Sequence, residues 1–493
     1  MTTKAPAFAI VGRTNKGKSS IVATLAEDDS VAISPRPGTT RECHEYPVRV
    51  DGEVLFTLVD TPGFEQAGAV LAWLRAGETS AASRPGRVAE FLRVHERTGE
   101  FPEERALLTP IMHGASVLYV VDGTKPYRKN YEDEMEILRW TGRPAMALVN
   151  RIGEGDFTAE WHAALHQYFQ TVRDFDAFHV SFDERVRLLR TFRELRIEEA
   201  EAIDRAIGAL EQERRRRREE ASAILTSLLV DSLTFTMQVD VEDEAEITRE
   251  KDRLAERFHE ALRERERRAR RAVEHLYRHD RARFVEGDLE RPELDRDLFA
   301  KETWNLLGLT PGQQIFAGAV AGATVGGAAD AVVGGASFMT GALIGTLAGG
   351  GLSAYRVGKR FAKVISSAPG GRLGLPKIGG DVKSALSGKR RFTVGPHAQP
   401  NFPWVLLDRA LLHYASVLAR THARRDDVSI GEAGEKGPVS GLSRETRKEL
   451  EVAFVQLRKR HDDPPEGARA VINAHVRSLI EAVERETSKR ASG

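Results

Sequence analysis

The sequence has a single cysteine, no net charge and only a short apolar run near its start. Cys43 stands alone, which excludes a disulfide framework and a zinc site built from several cysteines. Lys and Arg total 73, as do Asp and Glu, so overall basicity gives no argument for nucleic-acid binding. The apolar run Ala5–Val11 is too short for a signal peptide. These absences predict a cytoplasmic protein in a reducing compartment.

Strand and helix signals alternate over the first 183 of the 493 residues. Short apolar runs predict buried strands, and two more strands flank the turn signal Asp51-Gly52. The predicted strands are Ala7–Val11, Val48–Val50, Val54–Val59, Val117–Val121, Ala145–Val149 and Phe178–Val180. Helical periodicity covers Tyr131–Trp140 and Ala159–Val172. This alternation predicts an α/β domain, a mostly parallel sheet with helices on both faces.

A glycine-rich loop follows the first predicted strand and has the pattern Gly-x4-Gly-Lys-Ser. Its backbone N–H groups are expected to cradle a β-phosphate. Lys18 is predicted to reach the β- and γ-phosphate oxygens, and the Ser19 hydroxyl to ligate Mg²⁺. The predicted nucleotide-contacting residues of the loop are Gly12, Asn15, Lys16, Gly17, Lys18, Ser19 and Ser20.

Two further segments fit the same phosphate chemistry. Asp60-Thr-Pro-Gly63 ends a predicted strand, so Asp60 is expected to hold Mg²⁺ and the Gly63 N–H to approach a γ-phosphate. Between them, Pro37–Glu42 contains two threonines, of which we prefer Thr40 to Thr39 as the residue that closes over Mg²⁺. The alternative for this segment is a Pro/Gly turn without a ligand role. Together the motifs predict a nucleoside triphosphatase.

In this order, the three motifs resemble those of Era/TrmE-like GTPases of the translation-factor class, over about the first 180 residues. The remainder resembles a bacterial family in which such a domain precedes a large domain of unknown function. Val-Val-Asp-Gly-Thr-Lys-Pro-Tyr, Arg-Trp-Thr-Gly-Arg-Pro and Asn-Phe-Pro-Trp-Val-Leu-Leu-Asp carry that second resemblance. The first resemblance implies a molecular switch that hydrolyses GTP to GDP.

The guanine-specificity motif departs from the family pattern, Asn-Lys-x-Asp. Here Asn150 and Arg151 remain as predicted base contacts, but Gly153 replaces the carboxylate that accepts the guanine N–H groups. Asp156 lies three residues later and is a candidate substitute. The last base-contact motif is reduced to Ser181 and its neighbours. We expect GTP, with ATP as the alternative.

Phe64 follows Gly63, where many small GTPases carry a glutamine that orients water. Phenylalanine cannot do this by hydrogen bonding. The resemblance implies another route, in which Asn15 helps to bind K⁺ beside the phosphates and two nucleotide-binding domains dimerise. The alternative is that Asn15 only stabilises the loop backbone. Lys18, Thr40, Gly63 and Asn15 are therefore the predicted catalytic residues, and Ser19, Thr40 and Asp60 the predicted Mg²⁺ ligands.

The stretch Glu65–Thr109 is long for a second switch and predicts two helices separated by a turn at Arg84–Gly86. Its nonpolar positions either pack on the sheet or dock another subunit. From Glu184 to Asp297 about half of the residues are charged, and apolar positions recur as in amphipathic helices. A break near Gln238–Asp243 predicts a helical hairpin. Five arginines, Arg214–Arg218, fit either an anionic partner or a solvated helix balanced by flanking acids.

The segment Phe316–Ala354 contains 11 glycines and 11 alanines in 39 residues, with Asp330 as its one charge. Glycines at four-residue spacing form a small-residue stripe on a helix, so a closely packed hairpin is expected. So much glycine frays a helix in water, which requires the hairpin to be buried. We predict membrane association at the inner face of the cell membrane, with burial in a protein core as the alternative.

Four domains are predicted: a GTP-binding domain at 1–183, charged long helices at 184–312, the Gly/Ala-rich hairpin at 313–365, and a loop-rich connection with closing helices at 366–493. In the last of these, Arg391–Val394 predicts a strand and Trp404–Arg420 a helix. The alternative to a switch is a membrane-associated scaffold whose nucleotide site only stabilises the fold.

Overall fold

The computed structural model describes residues 5–13, 16–27, 42–77, 80–241, 244–279, 378–383, 390–397, 399–421 and 437–492. Within these ranges a six-stranded sheet with helices on both faces precedes a region of long helices and a small three-stranded sheet. The predicted fold class is confirmed for the α/β domain and the helical region. The Gly/Ala-rich hairpin, Phe316–Ala354, lies outside the described residues.

The large sheet has the order β2-β3-β1-β4-β5-β6. Its strands are β1 (Ala7–Val11), β2 (His44–Val50), β3 (Glu53–Asp60), β4 (Ser116–Asp122), β5 (Ala145–Asn150) and β6 (Val172–Phe175). Only β2 and β3 pair antiparallel, and the other neighbours are parallel. Every residue of β4 is buried, as expected for a central strand covered on both faces.

The predicted hairpin between β2 and β3 is confirmed. Asp51 has φ 48° and Gly52 has φ 83°, so both residues of the two-residue turn are left-handed. Two consecutive left-handed residues give a turn whose twist matches that of the paired strands. Aspartate and glycine tolerate this backbone conformation better than most residues do.

The last strand of the sheet is not where the sequence predicts it. Phe178–Val180 is wrong as a strand, and the chain pairs with β5 through Val172–Phe175 instead. The preceding helix, α6 (Thr158–Leu165), is shorter than predicted because Val172 already belongs to β6. The strand reads Val-Arg-Asp-Phe, and its charged pair at the sheet edge masks the apolar run that marks the other strands.

Three helices, not two, follow the Asp60–Gly63 motif. They are α2 (Ala67–Ala76), α3 (Arg84–Thr98) and α4 (Pro102–Met112). The predicted turn at 84–86 is wrong, since these residues form the first turn of α3, where a proline needs no backbone N–H. Val88, Phe91 and Leu107 are fully buried against the sheet core, which favours local packing over docking of another subunit.

The helical region begins with α7 (Phe182–Leu195), α8 (Ala200–Thr234) and α9 (Glu244–Leu276). Its later helices are α10 (Phe402–Ala419), α11 (Arg444–Lys459) and α12 (Glu466–Ser492). The predicted break after α8 is confirmed, and strand β7 (Met237–Val241) lies within it. β7 pairs with β9 (Arg390–Val394), which in turn pairs with β8 (Ile378–Lys383).

Helix α8 takes part in two hydrophobic cores. Its first turns place Ile203 and Ile207 against the sheet, together with Phe192 of α7. Its last turns place Leu229 and Leu233 in the core of the helical region. At 35 residues the helix is about 52 Å long. The domain boundary at residue 183 stays a prediction.

The arginine run on α8 is balanced by acids, although Arg217 is buried rather than solvated. Arg216 and Arg217 pair with Glu213, one turn earlier. Arg214 and Arg218 pair with Glu484 of α12. The balancing charges therefore come from a distant helix as well as from the flanking sequence.

No helix in the described part of the chain is long and apolar enough to cross a bilayer. The prediction of membrane association falls on Phe316–Ala354, outside that part. It therefore stays a prediction.

Candidate functional site

The glycine-rich loop leaves β1 through a backbone that only glycine fits. Gly12 has φ 145°, and a side chain there would press against the carbonyl oxygen of Val120. Gly17 has φ 81°, begins helix α1 (Lys18–Ala26), and would press against the Asn150 side chain. The loop is thus seated on β4 and β5. The N-terminus of α1 faces the carboxyl edge of the sheet, where parallel sheets bind ligands.

Lys18 and Ser19 follow directly. The buried Lys18 Nζ donates to the carbonyl oxygens of Gly12 at 2.9 Å and Arg13 at 3.0 Å. Burial lowers the pKa of Lys18 to about 8. The Ser19 hydroxyl donates to Asp60 Oδ2 at 2.7 Å. Two hard oxygen donors from separate motifs therefore meet beside the lysine, which fits the ligand preference of Mg²⁺. Ser20 is buried within α1.

The second phosphate motif is fixed to the first strand. The Thr61 hydroxyl donates to the carbonyl oxygen of Ile10 at 2.7 Å. Gly63 is buried, and the Phe64 ring packs into the core beneath α2. Phe64 thus points away from solvent. The predicted site residues Asn15 and Thr40 lie outside the described residues.

Glu104 of α4 is a buried residue that the sequence analysis missed. Its Oε1 accepts from the backbone N–H of Glu65 at 2.9 Å and of Gln66 at 2.5 Å. These N–H groups lie immediately after Phe64 and directly before helix α2, whose N-cap is Gln66. The local sequence Pro102-Glu103-Glu104-Arg105 gives no signal that Glu104 makes such a contact.

A second missed feature anchors the glycine-rich loop to helix α5 (Glu132–Trp140). The Arg13 guanidinium bonds Glu134, which also accepts from the Tyr119 hydroxyl at 2.9 Å. Arg13 further lies over the ring of Tyr131, 4.2 Å from its centre. Burial raises the pKa of Glu134, and its partner Arg13 opposes that rise. The loop backbone is therefore held by an ion pair whose acid is buried and whose arginine is partly exposed.

The predicted base-contact residues are only partly brought together. Asn150 Nδ2 donates to the carbonyl oxygen of Lys16 at 3.1 Å, and its Oδ1 accepts from the Ala177 N–H at 3.3 Å. Lys16 is buried, and its Nζ lies 3.5 Å from Asp122. Arg151 is exposed and lines an open pocket with Asp156.

Ser181 lies elsewhere, at the start of α7. Its hydroxyl accepts from the Glu184 N–H at 3.2 Å, and Glu184 Oε2 accepts from the Ser181 N–H at 2.7 Å. This reciprocal pair is a capping box. The loop beside Asn150 is instead Asp176-Ala177-Phe178, directly after β6. A base contact through Ser181 stays a prediction.

Asp156 also makes a local hydrogen bond. Its Oδ1 accepts from the Thr158 N–H at 3.0 Å, at the first turn of α6. Asp176 Oδ1 accepts from the Phe178 N–H at 2.8 Å, and its Oδ2 pairs with His179 at 2.7 Å. Both carboxylates follow Gly153 in the sequence, the position at which the family aspartate is missing.

Comparison with known proteins matches two parts of the chain. A family model described as 50S ribosome-binding GTPase matches residues 7–151. A second, described as a domain of unknown function (DUF3482), matches residues 162–478, more than half of the chain.

Curated relatives match the first part. GTPase Der from Rhodopirellula baltica is 36% identical over 120 residues, which are 23% of this chain and 26% of that protein. The probable GTP-binding protein EngB from Hyphomonas neptunium is 34% identical over 119 residues, 23% of this chain and 53% of that protein. The chain thus spans between about a quarter and a half of these relatives.

Among solved structures, an Era variant from Aquifex aeolicus bound to GDP·AlF4⁻ is similar at 15% identity and a TM-score of 0.27, covering 56% of this chain and 90% of that one. The chain carries an N-terminal GTPase domain related to Der and EngB, and it belongs to the DUF3482 family.

Proposed function

We propose that this protein binds GTP, hydrolyses it to GDP and phosphate with Mg²⁺, and passes its nucleotide state to the helical region. One observation carries the proposal: the Ser19 hydroxyl meets Asp60 at 2.7 Å, beside the buried Lys18. An ordinary turn does not need a buried lysine beside a serine–aspartate contact for its stability. Charge compensation and metal ligation of a triphosphate need it.

Each residue then has a defined task. Lys18 exchanges its two loop carbonyls for the β- and γ-phosphate oxygens, where its positive charge offsets the growing negative charge. Ser19 and Asp60 hold Mg²⁺, which neutralises charge on the phosphates when bound. The N–H of Gly63 is proposed to sense the γ-phosphate, and Thr40 to close over the metal from the first switch.

Hydrolysis is proposed to be stimulated by K⁺. Phe64 is buried and apolar, so it cannot orient the attacking water. Arg13 pairs with Glu134, so it does not supply a free positive charge for hydrolysis. Asn15 is proposed to help bind K⁺, which supplies positive charge beside the phosphates, and dimerisation of the nucleotide-binding domain is proposed to accompany it.

Guanine is the proposed base. Asn150 is oriented by Lys16 and Ala177, so one edge of its amide is fixed against the loop that surrounds the base. Asp156 or Asp176 then supplies the carboxylate that Gly153 lacks. Competition between GTP and ATP tests this, and equal binding would favour the ATPase alternative.

The connection to the helical region is proposed to run through Glu27. This residue ends α1 with φ 51° and lies directly before the first switch. Its carboxylate bonds Arg185 of α7 at 2.6 Å and Arg217 of α8 at 2.8 Å. A movement at the start of the first switch therefore changes contacts made by two helices outside the sheet.

The decisive experiment is GTP turnover by purified full-length protein and by Lys18→Ala. Turnover that Lys18→Ala abolishes supports the switch, whereas a wild type that binds nucleotide without turnover supports the structural-site alternative. Replacing K⁺ by Na⁺ at constant ionic strength, with and without Asn15→Ala, tests the cation. Membrane fractionation with and without 316–354 tests membrane association.

A further inference from the structure

Helix α4 contacts two segments that are proposed to respond to the nucleotide, although it belongs to neither. Its Glu104 binds the start of α2, after Gly63 and Phe64. Two residues on, the carbonyl oxygen of Ala106 accepts from the Cys43 thiol at 3.0 Å. Cys43 is where the chain returns from the first switch into β2. One short helix therefore contacts both segments.

The helix is held rigidly enough to act as a reference point. Leu107, Leu108 and Ile111 are fully buried in the core beneath the sheet. Glu104 is fully buried as well. A movement of α4 would open this core, so a change at α2 is resisted by packing as well as by hydrogen bonds.

The contact itself is strong for a hydrogen bond. An acidic side chain near a helix N-terminus is favoured by the helix dipole and satisfies N–H groups that have no partner within the helix. Here the acid comes from another helix and is buried, so losing the two bonds would leave a carboxylate in an apolar surrounding. Its Oε2 has no hydrogen bond within the described part of the chain.

We propose that Glu104 is a positioning residue for hydrolysis, which fixes the Glu65–Gln66 backbone so that the preceding Gly63 N–H faces the γ-phosphate. The inference rests on the proposed GTP hydrolysis. Glu104 contacts neither nucleotide nor metal, and acts through the backbone that it holds. Because only Phe64 separates Gly63 from Glu65, a shift of the backbone before the helix is transmitted to the Gly63 N–H.

Three full-length variants test the role: Glu104→Ala, Glu104→Gln and, as a matched control on the same turn, Glu103→Ala. Glu104→Ala should lower kcat about tenfold or more, because small misplacements of a catalytic group cost that much, and change KM less than about threefold. Glu104→Gln should recover most of the rate, since its amide oxygen still accepts both N–H groups. Glu103→Ala should behave as wild type.

Hydrogen exchange shows whether the backbone that Glu104 contacts is the part that changes, while the unequal effects on kcat and KM distinguish positioning from a merely structural role. In complexes with a non-hydrolysable GTP analogue, the amides of Glu65 and Gln66 should exchange faster in Glu104→Ala, while those of α1 stay protected. If Glu104→Ala does not fold, Glu104→Asp carries the same test, because its carboxylate ends one methylene short of the two N–H groups.

Active wild type with unchanged kcat in Glu104→Ala would overturn the inference alone. A slower variant whose amides at 65–66 exchange as in wild type would overturn it too. Wild type without turnover would instead overturn the proposed function, on which the inference rests.

Discussion

The nucleotide-binding region and the helical region use buried polar side chains differently. In the first, Lys18, Glu104 and Asn150 mostly bind backbone groups of loops. In the second, buried acids bind side chains of other helices, as Glu266 does with Arg409 and Glu484 with Arg218. Side chains that hold loops prepare a site, whereas pairs between helices fix how the helices sit against one another.

The largest effect is expected from breaking a pair in the helical region. Glu266 is buried between Arg409 at 2.9 Å and Arg270 at 2.7 Å. Glu266→Ala takes the shared acid from the buried Arg409 and the partly buried Arg270, and should lower the free energy of unfolding by about 3–5 kcal/mol. Glu264→Ala, which breaks an exposed pair with Arg267, should cost less than about 1 kcal/mol. Chemical denaturation of both variants measures the difference.

Glu266 also predicts that part of the protein's stability is lost at acid pH. Burial raises the pKa of a carboxyl, but Arg409 and Arg270 outweigh it and lower the pKa of Glu266 to about 2. A lowered pKa gives stability that is present above the unfolded value, about 4.3, and is lost as the pH falls towards 2. Glu266→Ala should therefore lose its destabilisation relative to wild type over that interval. A pH-independent difference would contradict this.

Lys18→Ala tests the nucleotide-binding region of this comparison. It removes the charge at the phosphates and should weaken GTP binding about 100-fold, or about 2.7 kcal/mol. The same variant should leave unfolding of the helical region unchanged. Within the described part of the chain, the hydrogen bonds of the Lys18 side chain go to carbonyls of the glycine-rich loop. Isothermal titration measures the first and denaturation the second, with the exposed Lys129→Ala as the control. Equal affinity in Lys18→Ala would refute the assigned phosphate site.

Asp408 is an exception in the helical region, since it binds a backbone group. Its Oδ1 accepts from the Val439 N–H at 2.8 Å, and burial raises its pKa to about 6. A raised carboxyl pKa means that folding favours the protonated form, so this contribution falls as the pH rises from about 4 to 6. Asp408→Asn should gain up to about 3 kcal/mol relative to wild type over that range. Unfolding curves at pH 4 and pH 7 would show it, and parallel curves would speak against it.

The smallest effect concerns the contact between the regions. Arg217→Ala should abolish any nucleotide-dependent change in hydrogen exchange of α8 and α12, a coupling of about 1 kcal/mol. Arg216→Ala removes an exposed arginine that pairs within α8 and should preserve the change. Exchange in the presence of GDP and a GTP analogue measures both. Survival of the change in Arg217→Ala would place the coupling elsewhere.

Sequence patterns predicted the central strands, the hairpin and the phosphate motifs because each depends on neighbours along the chain. An apolar run, a turn at Asp51-Gly52 or a Gly-x4-Gly-Lys-Ser loop is a local signal. Strand β6 was missed because its pairing with β5, not its composition, makes it a strand. Glu104 and Glu134 were missed for a related reason, since their partners lie 38 and 121 residues away.

The length of α8 has a consequence for synthesis of the protein. The apolar face of the sheet around Phe8 is closed by Phe192, Ile203 and Ile207, which the ribosome makes after all six strands. Until those residues emerge, the nascent sheet exposes that face to solvent and to other chains. A fragment that ends at residue 183 would carry the same exposed face permanently, and should aggregate when expressed alone, whereas one that ends after residue 210 has the side chains to cover it.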